Sequence, residues 1–347
     1  MLKAYKKAEL SFELIKEIGQ NGKNSKTFLV KDNQLNANIV SKQISKSSLK
    51  SPSEFFSESQ ALYASQHPNV VQIHYACYDN DYIYIAMPYY KNGSVKELIK
   101  NNQMTVRDII TIGAQSLSGL HNIHSKGLIH FDVKPDNILL SARKEALLSD
   151  FGLAKQMNYA GVAPQNRHYT PMIPPEAFET NTFDRTFDIY QMGLTLYRMC
   201  NGSGCFYDQL QQYYHNGKLD RAKFCDAVCN ERFPDRHFFL EHIPTTLQKV
   251  IKKCLKSDPH QRYQSALDVV NAMAGIDGNN LDWRFERQSD KKLWTKNKEG
   301  TQYEFILTDD GNSICYKTVN GGTRRKVSAG CKTGMTDREL RGFFGDY

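Results

Sequence analysis

The 347-residue chain is long enough for one large two-lobed domain with a small module beside it. A hydrophobic content of 40 % and a mean hydropathy of −0.57 describe a soluble protein, and no apolar run reaches the length of a membrane span, so a cytoplasmic protein without a membrane partner is expected. The net charge of +8 is modest and spread along the chain, as on a solvated surface, and gives no reason to expect nucleic acid.

Residues 1–11 read as an N-terminal extension; Met1 to Lys7 carry charge but no apolar core, which argues against a secretory leader. Phe12 to Ile18 reads as a strand. The turn after it, from Gly19 through Gly22 to Ser25, is built of small residues whose backbone N–H groups can approach phosphates, although a plain hairpin explains it equally well. Asn38 to Ile44 is β-rich with Lys42 on its polar phase. Pro52 to Tyr63 suits a helix started by Ser51 or Ser53, carries Glu58, and runs on to His67-Pro68-Asn69-Val70-Val71. Two strands are predicted at Val71–Ala76 and Tyr82–Met87 around the Asp79-Asn80-Asp81 turn, followed by Pro88-Tyr89-Tyr90.

Thr105 to Ser125 is a long helical pattern with Ile109, Ile110, Ile112, Leu117, Leu120 and Ile123 recurring at three and four. After it, Ile129 to Leu140 encloses a polar knot, His130-Phe131-Asp132-Val133-Lys134-Pro135-Asp136-Asn137. It holds a carboxylate, a cation and an amide within six positions: a base, a counter-charge and an oxygen ligand for a hard metal. Thirteen residues past Asn137 comes Asp150-Phe151-Gly152, a second carboxylate at the tip of an apolar stretch. Further on stand Pro174-Pro175-Glu176, Asp188-Ile189-Tyr190-Gln191-Met192-Gly193 and Asp258-Pro259-His260-Gln261-Arg262. Residues 201–245 read as polar helices and loops, and two helices are predicted between Leu247 and Met273. Of the eight cysteines, Cys200, Cys205, Cys225 and Cys229 lie close in sequence. Their C-x4-C and C-x3-C spacings fit zinc poorly, and they are read as buried or free thiols in a reducing cytosol.

From residue 281 the texture changes. Asp310-Gly311 and Asn320-Gly321 separate β-rich runs at Tyr303–Leu307, Ser313–Val319 and Thr323–Val327, which are hairpin signals, and Thr336 opens a last helix. Residues 281–347 are therefore read as a small β-rich module of no recognised family, and partner or substrate docking is its default role.

The spacing of His130, Asp132, Asn137 and Asp150 resembles the H-R-D-x-x-x-x-N loop and D-F-G site of protein kinases, over residues 12–275. The resemblance is to eukaryotic-like (Hanks-type) serine/threonine kinases of bacterial or phage type. It implies an α+β bilobal fold: a β-rich N-lobe of about 12–88 with one helix, and a mostly helical C-lobe of about 91–275. It also implies ATP and Mg2+ as cofactors and protein Ser/Thr hydroxyls as acceptors, with autophosphorylation. Lys42 would hold the α/β phosphates and Glu58 would orient it. Gly19, Gly22 and Ser25 would line the phosphates, in a loop that departs from the family's glycine pattern. Met87, Pro88 and Tyr90 would border adenine. Asp132 would act as base, Lys134 would neutralise the γ-phosphate, and Asn137 with Asp150 would bind the metal.

His130, Glu176, Asp188 and Arg262 would be supports: Glu176 pairing with Arg262, Asp188 capping the loop's N–H groups, His130 tying the loop to the metal-binding segment. Tyr169 fits the family's P+1 threonine by count and Thr170 by chemistry, and Thr170 is taken as the expected residue. Phe131 replaces the family's arginine, the usual receiver of an activation-loop phosphate, so activity without that phosphate is expected. A pseudokinase acting as a binding module and a small-molecule phosphotransferase are the alternatives; the second usually lacks counterparts of Glu176 and Arg262.

Overall fold

A computed structural model describes residues 10–18, 25–49, 56–100 and 104–347. Five strands, β1 (Phe12–Ile18), β2 (Ser25–Asp32), β3 (Ala37–Ser45), β4 (Tyr75–Tyr78) and β5 (Tyr82–Pro88), form an antiparallel sheet in the order β1-β2-β3-β5-β4. The central strand β3 alternates correctly for a two-sided core. Ile44 faces the large core with Ile83 and Ile85, while Ile39 packs with Val30 and Ala86 on a second cluster. Helix α1 (Ser57–Ala64) packs its Leu62 against the first of these, and the expected helix start at residues 51–53 lies outside the described residues.

The strand predicted at Val71 begins only at Tyr75. Its first residues are engaged elsewhere: Val71 N–H donates to Leu148 O at 2.9 Å, and Leu148 N–H donates to Asn69 O at 2.9 Å. The His-Pro-Asn-Val-Val stretch thus straps the sheet to the second lobe instead of extending it.

That lobe is mainly helical. Its axis is α3 (Val106–Ser125), preceded by α2 (Val95–Lys100). Thr105 and Asp108 close a reciprocal capping box, Asp108 N–H to Thr105 Oγ1 at 3.1 Å and Thr105 N–H to Asp108 Oδ2 at 2.8 Å, which fixes where α3 starts. Of the predicted stripe, Ile109, Ile112, Leu117, Leu120 and Ile123 are buried and Ile110 is half-buried. Short strand pairs follow: β6 (Leu128–Ile129) with β9 (Lys155–Gln156), β7 (Ile138–Leu140) with β8 (Ala146–Leu148), and β10 (Ala163–Pro164) with β11 (Thr182–Phe183). Then come α4 (Thr186–Asn201), α5 (Ser203–Gln211), the β12 (Tyr214–His215) and β13 (Lys218–Leu219) hairpin, α6 (Arg221–Cys229), α7 (Thr245–Cys254) and α8 (Ala266–Ala274). Every residue of α4 is buried. Phe206, Phe224 and Phe233 give the 201–245 stretch a ring-packed interior that its polar sequence hides. The bilobal α+β arrangement is the one expected.

The last part has its own core. Strands β14 (Arg284–Arg287), β15 (Lys291–Lys298), β16 (Thr301–Thr308), β17 (Asn312–Val319) and β18 (Arg325–Lys326) form one sheet in that order, with β19 (Lys332–Thr333) also on β17. Trp294, Phe305 and Cys315 are cross-strand partners on one face, and α9 (Asp337–Asp346) lays Leu340, Phe343 and Phe344 over them. Strands β14 and β15 were not anticipated; four lysines make 291–298, the range of β15, read as polar. The structure buries one of them, Lys296, whose Nζ donates to Asn279 O at 2.6 Å.

Contacts that tie this part to the helical lobe include the fork of Arg107 onto Asp282 at 2.7 and 2.9 Å, the Lys292–Glu241 pair, the bridge between Thr105 and Arg284, and Trp294 Nε1, which donates to His242 Nδ1 at 3.0 Å. Burial holds His242 well below the usual imidazole range, at about 3, so it is a neutral acceptor. Trp294→Phe strands that acceptor and is expected to cost about 1–3 kcal/mol in denaturant unfolding. An unchanged midpoint would mean that the bond contributes nothing to the join.

Candidate active site

The site is assembled where β3, α1 and the loops around β7 and β8 meet. On β3, Lys42 stands opposite Thr27 on one neighbour and Ile85 on the other, so its backbone is fixed on both sides. Its Nζ donates to Glu58 Oε1 at 2.6 Å and to Asp150 Oδ1 at 2.7 Å. One cation therefore serves two carboxylates. Burial opposes the charge on Lys42, but Asp150 and Glu58 outweigh it and its pKa is raised. Asp150, 44 % exposed at its side chain, is held down to about 2, chiefly by the Lys42 ammonium. Glu58, shut in on α1 and facing a second carboxylate, is pushed up by burial. Gly152 keeps this corner open, since a Cβ there would stand 3.3 Å from Asp150 Oδ1 and 3.5 Å from Lys42 Nζ.

The second group is the loop between β6 and β7. Lys134 Nζ donates to both oxygens of Asp132 at 2.9 and 2.8 Å, and Asn137 Nδ2 donates to Asp132 Oδ2 at 2.8 Å and to its backbone O at 2.9 Å. The loop's backbone is held from α4 beneath. Asp188 accepts from His130 N–H and Phe131 N–H, both at 2.8 Å, and Gln191 Oε1 accepts from Val133 N–H at 2.8 Å. These bonds hold Phe131 at a φ of 64°, in the left-handed region. His130 Nε2 lies 3.1 Å from Ser149 O and its ring edges onto Phe151, joining the loop to the Asp150 segment. Gln191 was missed in the sequence. It stands one turn after Asp188 on α4, which puts both side chains on one helix face.

The ring of Phe131 is fully buried against Phe183 and Phe187, at 6.0 and 5.0 Å between centroids, and His168 stacks on Phe187 at 5.5 Å. Farther out, Arg262 forks onto Glu176 at 2.8 and 2.6 Å. Met87 and Pro88 end β5 opposite Val40 and Ile39, half-buried like Tyr90 just beyond, and Ser25 starts β2 opposite Ile44. Gly19 and Gly22 lie outside the described residues. Tyr169, not Thr170, stands by the loop, its ring 4.5 Å from Lys134 Nζ. Thr170 opens a 3-10 turn, Thr170–Met172, and is exposed.

The donor set fits a hard divalent ion shared with phosphates: a carboxylate oxygen and an amide side chain, with Gly152 leaving space beside them. Among the described residues no three His, Cys, Asp or Glu side chains form a metal cluster, and no helix is long and apolar enough to cross a membrane.

Two lobes, a lysine–glutamate pair and an asparagine-supported aspartate define a class, and comparison with known proteins agrees: the protein kinase domain family matches residues 12–273. The chain belongs to that family. It is 30 % identical over 275 residues to a probable serine/threonine-protein kinase of Clostridium perfringens, covering 76 % of this chain and 38 % of that protein. Similar matches are a probable serine/threonine-protein kinase of Clostridium acetobutylicum (29 % over 245 residues; 68 % and 35 %) and the serine/threonine-protein kinase PknD of Chlamydia muridarum (25 % over 303 residues; 76 % and 31 %). The chain thus spans about a third of the length of these relatives.

Proposed function

We propose that this chain transfers the γ-phosphoryl of ATP, with Mg2+, to Ser and Thr hydroxyls of proteins, its own included. The observation that carries the reading is the convergence of Lys42, Glu58 and Asp150 at one corner and Asp132, Lys134 and Asn137 beside it. When bound, Mg-ATP supplies the transferable group and the cation that shields it. Lys42, fixed by Glu58, would hold phosphate oxygens, Gly19, Gly22 and Ser25 would line the phosphates as the family resemblance implies, and Met87, Pro88 and Tyr90 would border adenine. Asp150 and Asn137 would hold the metal. Asp132 orients the acceptor hydroxyl and takes its proton, while Lys134 places a positive charge between that carboxylate and the incoming group. The lysine two positions after Asp132, and the names of the relatives, favour Ser and Thr acceptors.

The test is incubation of the purified chain with γ-labelled ATP and Mg2+, then acid hydrolysis. Labelled phosphoserine or phosphothreonine is expected. Label on a metabolite alone would make it a small-molecule phosphotransferase, and ATP binding without transfer a pseudokinase. Because rings fill the place of the family's arginine, the rate is expected to survive phosphatase treatment and the change of the fully exposed Tyr159 to Phe. Loss of most of the rate on dephosphorylation, restored by rephosphorylation, would show that a phosphate receiver exists after all. The 281–347 module is proposed to dock a partner or substrate, since the catalytic set lies outside it.

A further inference from the structure

Where the helical lobe meets the C-terminal sheet there is a pocket of about 50 Å3, partly open to solvent. Leu98 on α2, Met104 just before α3, Met199 near the end of α4 and Leu240 wall it from the lobe, and Phe285 on β14 closes it from the sheet. By the measure at which one water takes about 10–15 Å3, the space holds on the order of four such groups. His242, only 3 % exposed, also lines it, its ring stacked on Phe285 at 6.3 Å between centroids. Among the described residues no side chain of the lining carries a charge at neutral pH.

The hydrogen bond across the junction decides what this lining offers. Trp294 Nε1–H donates to His242 Nδ1 at 3.0 Å, so Nδ1 carries the lone pair. The imidazole is neutral, its pKa held down to about 3 by burial, and its one proton therefore sits on Nε2. Among the described residues nothing accepts from that Nε2–H. Asn201, also in the lining, is engaged: its Oδ1 accepts from Leu240 N–H and its Nδ2 donates to Phe238 O, both at 3.2 Å. The Cys200 thiol is a weak donor that burial keeps protonated. The pocket thus combines an apolar wall with one strong donor that lacks an acceptor.

That combination selects its occupant. Water needs two to four polar partners to be held well, and here it finds one strong one among thioethers, aliphatic groups and a ring. An anion would give up its hydration beside an imidazole that carries no charge, and a cation would find no carboxylate in the lining. A neutral aliphatic group gains by leaving water for these walls. A single carbonyl oxygen on it supplies the acceptor that the His242 Nε2–H lacks, and leaving that donor unpaired in a buried place is the costlier alternative.

We propose that this pocket is a second ligand site, which binds a neutral aliphatic group of about four heavy atoms bearing one carbonyl oxygen, the oxygen on His242 Nε2–H and the carbons against Leu98, Met199 and Phe285. None of these residues belongs to the candidate catalytic set, and the test uses no ATP, so it is independent of the phosphotransfer reading. The probes are acetone, its acceptor-free isostere isobutene dissolved under pressure, and its anionic isostere acetate. Each is added to the 15N-labelled full chain while the imidazole nitrogens and the Trp294 indole N–H are followed by NMR. The free chain should show His242 protonated at Nε2, and acetone should shift that resonance saturably at millimolar concentration. Isobutene should bind about tenfold more weakly, the worth of one hydrogen bond, and acetate should leave the resonance unmoved. Leu98→Trp, at a half-buried position, should fill the space and abolish the shift, with the indole signal of Trp294 retained as proof of the fold. Phe285→Ala, also at a half-buried position, should enlarge the space so that 2-hexanone binds better than acetone. Equal binding of acetone and isobutene, a matching response to acetate, or a shift that survives Leu98→Trp overturns the proposal. So does the absence of a saturable shift with any probe, which would leave the pocket to water alone.

Discussion

Asp132→Asn is expected to lower kcat by about 10²–10⁴-fold, the usual range for loss of a positioned general base, with little change in the KM for ATP. The asymmetry follows from how the site is divided. The corner proposed to hold the phosphates is built by Lys42, Glu58 and Asp150, and none of their mutual bonds passes through Asp132. The asparagine keeps the shape of the carboxylate and can still accept from Lys134 and present its backbone O to Asn137. It cannot take a proton, and of the donors now aimed at the carboxylate oxygens one must lose its acceptor. The loop is otherwise held by Asp188 and Gln191 from below, so the fold is expected to survive and thermal unfolding should show it. If the variant retains transfer within tenfold of wild type while binding ATP as tightly, Asp132 is not the base. Combining it with Lys134→Ala should cost little more than Asp132→Asn alone, because residues that act as one unit are not additive.

How much of this could be read without coordinates depends on whether the signal was local. Asp132, Asn137 and Asp150 announce themselves by fixed offsets and by the apolar strands that flank them, and the structure brings them to one place. Helix α3 was equally plain, because its cap and its stripe are both written in consecutive residues. What failed were features decided by a distant partner. The segment from Val71 reads as strand by composition, but the Val71 N–H donates to Leu148 O. Lysines at 291, 292, 296 and 298 conceal β15, since nothing nearby shows that Lys296 finds carbonyl acceptors and passes over the Trp283 ring. The choice between Tyr169 and Thr170 was made on hydroxyl chemistry. The structure sets the ring of Tyr169 against a cation, and Thr170 turns outward with Pro171.

Arg262→Ala is expected to be the most destabilising single change outside the apolar cores. The side chain is inaccessible and its donors are satisfied. Two bonds go to Glu176, and the others go to Lys256 O at 2.7 Å, Ser257 O at 3.0 Å and Thr186 O at 3.2 Å, with the Tyr190 ring beneath at 4.8 Å. Truncation leaves a carboxylate that is 16 % exposed and three carbonyls without their donor. Removing one partner of a buried ion pair costs about 3–5 kcal/mol. At about 2–4 °C per kcal/mol for a domain of this size class, the melting temperature should fall by on the order of 10 °C. Arg262→Lys should recover little of this, because an ammonium cannot fork onto both carboxylate oxygens and also reach the carbonyls. Glu176→Gln combined with Arg262→Ala should cost less than the two changes summed, since the stranded charge is gone. Glu176 closes the segment that carries Tyr169 and Pro171, so a partly folded Arg262 variant should lose peptide affinity before it loses ATP affinity. A fall of less than about 1 kcal/mol would put this pair with the exposed bridges that contribute almost nothing, and the segment would then have to be anchored by the Phe131–Phe183–Phe187 rings alone.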